Sequence, residues 1–306
     1  MNAPCHGFLN VLKPPGMTSS DVVGVVRRML PRGTRVGHAG TLDPEAAGVL
    51  PIMVGKAARL FAYLAAKEKT YVAALCLGST TDTQDAYGRL LTSSTQRPTR
   101  EAIVRLLPAF TGRLWQRPPA YSAIKQDGKR LYALARAGEA VEAPLRQVDV
   151  FEITPGASLS PDELLLTVRC GGGTYIRALC HEIGQALGCG AHMGYLLRAR
   201  TGIFSLEDAH TLEALARAED LSALLLPIDA PIQHLPRADA PEALRRPCRN
   251  GNPLPCALCR CEAVDPPDAP IRVYVGGQFA GIARRRGDML VFDAMLLADD
   301  PAPAHT

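Results

Sequence analysis

Between residues 8 and 200, stretches that read as strands and stretches that read as helices follow one another without a common spacing. Residues 8–12, 49–54, 70–77, 145–153 and 163–170 are short apolar or alternating runs, the signature of strands, and 193–200 reads as extended. After the N-cap group Thr18–Asp21, residues Val22, Val23, Val26, Met29 and Leu30 fall at helical spacing. Residues 56–66, 99–107, 130–137 and 175–187 read as further helices, and Gly138 and Gly188 close the last two. A doubly wound parallel sheet needs strand–helix–strand units repeating at about 30 residues. No such beat exists here, so the expected class is mixed α+β around a mainly antiparallel sheet.

A boundary is expected where Pro227, Pro231, Pro236 and Pro241 recur among polar residues. Beyond it, 271–275 and 278–283 flank Gly276-Gly277 as a β-hairpin, and 289–292 reads as another strand. The division expected is a large domain over 1–230, a small β-rich module over 231–298 and a frayed tail at 299–306. The chain's 306 residues, 47% apolar and 21% charged, can supply such cores. No apolar run approaches the 18 or so residues of a membrane span. The first residues lack the basic-then-apolar pattern of a secretory signal, so a cytoplasmic protein without a membrane partner is expected.

Lys and Arg number 34 against 30 Asp and Glu, for a net charge of +4. Residues 231–306 hold nine of each sign, so the excess lies in 1–230. That permits a polyanionic partner without requiring one. An odd nine cysteines, with no secretory signal, argues for free thiols. Cys248, Cys256, Cys259 and Cys261 cluster, but one CxxC without a second spaced pair or a nearby His reads as loop thiols rather than zinc ligands.

Four segments carry groups capable of chemistry. Gly37–Leu50 places Asp43 between glycines and Pro44, in a loop entering an apolar strand; Pro44 restricts Asp43 to extended geometry. Lys69-Thr70-Tyr71 opens a strand. Lys125, Lys129, Arg130 and Arg136 interleave with Tyr121 and Tyr132, as either a solvated face or a phosphate-binding surface. After Gly171–Gly173, Tyr175 and Arg177 stand at a helix start. Cations are disfavoured there by the helix dipole, so Arg177 is expected to have a specific anionic partner.

In this order, GHAGTLDPEAAGVL, KTY, GSTTDTQDAYG, QRPPAYSAIKQDGKRLYALARAG and CGGGTYIRALCHEIGQALGCGAHMGYLLRARTGIF resemble the TruB family of bacterial tRNA pseudouridine synthases. The resemblance spans residues 8 to about 230, and the tail more loosely resembles the family's PUA RNA-binding domain. It implies a pseudouridine synthase fold and isomerisation of uridine 55 in the T loop of tRNA. The base is flipped out, the glycosidic C–N bond breaks, the uracil turns over, and a C–C bond forms through C5. It implies Asp43 as the catalytic carboxylate, acting as a nucleophile at C1′ or a base at C2′. Arg177 would be its ion-pair partner, and Tyr71 would stack on the flipped uracil. Tyr175 and Leu196 would wall the pocket, His38 would support the disrupted T loop, and Lys125, Lys129 and Arg130 would hold phosphates. It also implies no metal or cofactor, no obligatory protein partner, a monomer, and a possible accompanying tRNA-folding role. The chain departs from the family pattern at Leu197, where an Arg is usual. A non-catalytic RNA-binding module, a guide-RNA-dependent synthase and a glycosidase-like hydrolase are the rival readings. An intact GTLDP argues against the first. The absence of a second marked carboxylate argues against the last.

Overall fold

The computed structural model describes residues 6–64, 68–121, 125–126, 129–130 and 143–297. Among them, one large sheet runs β1 (Gly7–Lys13), β3 (Ala47–Val54), β12 (Ala191–Thr201), β4 (Lys69–Leu77), β11 (Glu163–Cys170), β10 (Arg146–Ser160) and β7 (Gly112–Gln116). The short strands β2 (Val36–His38) and β13 (Phe204–Ser205) join it on β3 and β12. Two two-stranded ladders stand apart: β5 (Ser79–Thr81) with β6 (Leu90–Ser93), and β8 (Lys125–Gln126) with β9 (Lys129–Arg130). Pairing in the large sheet is antiparallel except for β3 with β12, in line with the expected class.

Helix α1 (Ser19–Arg28) starts as its sequence predicts: Thr18 and Asp21 cap each other's backbone N–H in a capping box, and Val22, Val23 and Val26 are buried. The short helix α2 (Arg100–Leu106) is capped by Thr99. Helix α3 (Ile176–Ala186) sends Ile176, Leu179, Cys180 and Ile183 into a core shared with Tyr71, Ala73 and Leu75 of β4. That packing seats the start of α3 beside the middle of the sheet.

At three places the backbone departs from the sequence expectation. The predicted helix 56–66 is a 3₁₀ helix over Gly55–Tyr63. Its buried residues, Ala57 and Leu60, are three apart, the period of a 3₁₀ turn, and no side chain caps its start. Arg130, expected to open a helix, pairs with Lys125 in a strand; the rest of that predicted helix, 131–137, lies outside the described residues. Strand β10 also runs on to Ser160, well past the expected end, through register shifts after Pro155.

Residues 237–295 form a second sheet, ordered β15 (Leu254–Pro255), β19 (Met289–Met295), β18 (Gln278–Arg286), β17 (Ile271–Val275), β14 (Arg237–Ala240), β16 (Arg260–Cys261). The expected hairpin is β17–β18, turning at Gly276 (φ 56°) and Gly277 (φ 81°), where positive φ suits glycine. This sheet leans on the first. Ile282, Ala294 and Leu296 pack with Phe8, Ala57 and Leu60, and Lys56 Nζ donates to the Leu297 carbonyl at 2.9 Å. The predicted frayed tail, 299–306, lies outside the described residues.

Candidate active site

The loop from Ala39 to Ala46 leaves β2 and enters β3, whose start pairs in parallel with β12 in the same sheet. The approach is close. In the parallel pairing Arg198 lies opposite Gly48, and a Cβ at Gly48 (φ 119°) would stand 2.3 Å from the Arg198 carbonyl oxygen. Only glycine allows the chains to come so near.

Three buried side chains satisfy the loop's backbone. Arg198, 1% exposed, donates from Nε to the Val49 carbonyl at 2.8 Å and from its two terminal nitrogens to the Thr41 and Gly40 carbonyls, each at 3.2 Å. Lys13, fully buried, donates to the carbonyls of Pro44 (2.7 Å), Met17 (2.6 Å) and Pro14 (2.8 Å). Burial pulls its ammonium down from 10.5 to about 8, with Glu45 and Asp43 pulling the other way. Ser19 Oγ accepts from the Leu42 amide (2.9 Å) and donates to the Leu42 carbonyl (3.2 Å). The backbone on both sides of Asp43 is therefore held before any substrate arrives.

Asp43 and Arg177 form the ion pair that the family resemblance implies, with Arg177 Nε 3.0 Å from Asp43 Oδ2. The pair is asymmetric: the Arg177 side chain is 6% exposed and that of Asp43 41%. The other guanidinium nitrogens of Arg177 reach the Thr83 carbonyl (3.1 Å), the Tyr121 carbonyl (3.0 Å) and Asp85 Oδ2 (3.7 Å). Asp85 is itself fixed, accepting from Thr83 Oγ1 (2.6 Å) and the Tyr87 amide (3.0 Å). Two carboxylates thus outweigh the helix dipole that opposes a cation at the start of α3. No side chain caps that helix. Instead the Tyr175 amide donates to Gln116 Oε1 (2.8 Å), and Gln116 Nε2 donates to the Tyr175 carbonyl (3.1 Å).

Tyr71 sits in register between Arg198 and Val168, 7% exposed, with its hydroxyl facing the Arg198 guanidinium. Burial raises its pKa, although the charge of Arg198 works against the shift. The phenol is neutral at physiological pH. Leu196, opposite Ala73, belongs to the same apolar cluster as Tyr71. His38 ends β2, half-buried, with Nδ1 unpaired; burial and then the charge of Arg198 lower its pKa. These residues and Asp43 therefore gather around one loop and one stretch of sheet. Lys125, Lys129 and Arg130 fall in the β8–β9 ladder, but their side chains lie outside the described residues.

Sequence reasoning missed Lys13, Ser19, Asp85, Gln116 and the anchoring part of Arg198. Asp85 lies within the family-like segment GSTTDTQDAYG, but no single-sequence signal separates it from Asp82. Leu197, the departure from the family pattern, pairs with Ala47 and Val72. Among the described residues, no group of three or more His, Cys, Asp or Glu is arranged to hold a metal ion. The eight described cysteines are free thiols. No helix among the described residues is long and apolar enough to cross a membrane.

Residues 27–176 match the family model of the TruB family pseudouridylate synthase N-terminal domain, and residues 177–233 match that of the tRNA pseudouridylate synthase B C-terminal domain. The chain belongs to the TruB family of pseudouridylate synthases. A tRNA pseudouridine synthase B of Heliobacterium modesticaldum is 48% identical over 240 residues, 78% of each chain. The protein of that name from Alkaliphilus oremlandii is 41% identical over 283 residues, 92% of this chain and 94% of the relative. Among solved structures, an H/ACA ribonucleoprotein bound to a substrate RNA containing 2′-deoxyuridine aligns with a TM-score of 0.72 at 23% identity, covering 96% of this chain and 86% of that one. A Cbf5–Nop10–Gar1 complex aligns with a TM-score of 0.71 at 25% identity, covering 94% and 84%. The family membership makes this chain a pseudouridine synthase, and its sheet and loop carry that fold.

Proposed function

We propose that this synthase converts uridine 55 in the T loop of tRNA to pseudouridine, with Asp43 as the carboxylate that acts on the ribose. The observation that carries the assignment is the asymmetric pair: an open carboxylate held 3.0 Å from a buried guanidinium. Arg177 orients Asp43 and favours its ionised form, while the exposed oxygen stays free for the substrate. Either role, nucleophile at C1′ or base at C2′, needs an ionised, positioned carboxylate. The backbone bonds from Arg198, Lys13 and Ser19 supply the positioning.

The target base must leave its stack to reach Asp43. Tyr71 and Leu196 offer an apolar floor for the uracil, and Tyr175 a wall. His38, neutral and with an unsatisfied ring nitrogen, is read as the residue that supports the emptied T loop. The 41–48% identity to bacterial relatives named tRNA pseudouridine synthase B favours an enzyme that acts without guide RNA or accessory proteins, as a cytoplasmic monomer. The C-terminal sheet is read as the PUA-like module that grips tRNA beyond the T arm.

The test is Asp43→Asn on an unmodified tRNA transcript carrying tritium at uridine C5. The variant should bind tRNA as the parent does and release no tritium. Release within tenfold of the parent would remove Asp43 from the mechanism, and pseudouridine mapped away from position 55 would overturn the substrate site.

A further inference from the structure

A cationic shelf stands beside the active-site loop, and neither the Asp43 site nor the C-terminal module uses it. Arg27, Arg28, Arg32 and Arg35 lie within nine residues, all exposed. None of them has an ion-pair partner among the described residues. Arg27, Thr34, Arg35, Gly37 and Ala58 line a surface cavity of about 450 Å³ between the end of α1, β2 and the 3₁₀ helix. Arg27 holds one edge by donating to the Val36 carbonyl at 3.3 Å, and Thr34 Oγ1 donates to the Pro31 carbonyl at 2.7 Å, fixing the turn that carries Arg35.

Arg27 and Arg28 have a local reason to be basic, since they complement the helix dipole in the last turn of α1. Arg32 and Arg35 lie beyond that helix, and the fold makes no use of their charge. Four exposed guanidiniums without a carboxylate partner repel one another, so a bound anion would stabilise them. The cavity is open and rimmed by forks suited to phosphate oxygens. Arg35 precedes His38 by three residues on one extended run, roughly 10 Å at the rise of a strand. An RNA strand leaving the base site past His38 would reach the shelf at once.

We propose that the Arg27–Arg35 shelf is a phosphate subsite that grips the RNA backbone flanking the flipped nucleotide. This rests on the reading of the chain as a tRNA-modifying enzyme with its base site at Asp43. The shelf sets how tightly the substrate strand is held, and the loop and Arg177 set the chemistry.

The experiment compares Arg35→Glu with Arg105→Glu, an equal charge change on the exposed face of α2. Arg35→Glu should raise the KM for tRNA about tenfold, with a smaller change in kcat. It should flatten the dependence of log affinity on log salt by about 0.9 for each phosphate that the shelf no longer neutralises. Arg35→Lys should recover much of the affinity. If KM and salt slope match those of Arg105→Glu while the parent makes pseudouridine normally, the shelf is not a subsite and the functional reading stands. If the parent modifies no tRNA, that reading itself falls. Calorimetric titration with inorganic phosphate separates the other source of the same chemistry. Saturable phosphate binding that disappears in Arg35→Glu, with tRNA affinity unchanged, would assign the shelf to a free anion and overturn the proposal.

Discussion

Replacing Arg198 by Met tests whether its side chain positions the Asp43 loop. Met fills a similar elongated space but brings no N–H donor. The change strands the Gly40, Thr41 and Val49 carbonyls, which the guanidinium now satisfies at 2.8–3.2 Å, and leaves the Tyr71 hydroxyl facing a thioether. An unsatisfied buried polar group costs about 1–3 kcal/mol. Thr41 is exposed and can turn to water, so the low end applies, about 3 kcal/mol in all. At roughly 2–4 °C per kcal/mol for a chain of this size, Tm should fall by about 6–12 °C. The effect on rate should be larger than stability alone explains, because a displacement of about 1 Å at a reacting group can cost on the order of 100-fold. Single-turnover tritium release should therefore drop about 100-fold at a temperature well below the variant's Tm, with tRNA binding nearly intact. Arg198→Lys, which keeps the charge but not the three-way fork, should fall between. A Met variant that reacts within threefold of the parent while melting as the parent does would refute the argument that Arg198 presents the loop.

The remaining predictions address the ion pair, a buried acid and the C-terminal module. Arg177→Ala removes the partner of the open Asp43 and of the less exposed Asp85; single-turnover rate should fall far more than tRNA affinity, and a purely affinity defect would make Arg177 a phosphate ligand instead. Burial pushes the Glu182 carboxyl up from 4.5 to about 7, so its stabilising contribution is present below 4.5 and disappears as pH rises through 7; Glu182→Gln should raise Tm at pH 8 and leave it unchanged at pH 4, and equal shifts at both would contradict this. Cutting the chain at 235 would uncover Phe8, Ala57 and Leu60, so the RNA role of the tail is better read from Arg246→Glu with Arg286→Glu. That pair should weaken tRNA binding and flatten its salt dependence without a change in single-turnover rate, and identical affinities would make the module a passenger.

Much of the framework was legible because it follows from local chemistry. The Thr18/Asp21 capping box, the alternation along 70–77 and the Gly276-Gly277 turn each encode their element within a few residues. The Asp43–Arg177 pair was legible for a different reason: a cation at a helix start is locally unfavourable, so Arg177 pointed to some anion elsewhere, and only the family resemblance named Asp43 as that anion. Where local signals conflict with packing, the expectation failed. Residues 55–63 have a helical pattern, but burial of Ala57 and Leu60 at a spacing of three winds them as 3₁₀.

The chain's own pattern thus determined the α+β class and the order of the motifs, and the resemblance of those motifs to the TruB family singled out Asp43 among the carboxylates. Tertiary structure alone decided what holds that carboxylate in place. Lys13, Ser19 and Arg198 act on backbone carbonyls and amides, groups every residue carries, so their partners leave no mark in the sequence. Arg198 lies 149 residues from Val49 and meets it only because β12 runs parallel to β3 with Gly48 at the crossing. Asp85 likewise joins Arg177 only once the β5–β6 hairpin is laid against the start of α3. Contacts of that kind depend on which strands become neighbours, and long-range pairing is settled by burial of the whole sheet rather than by any short run of residues.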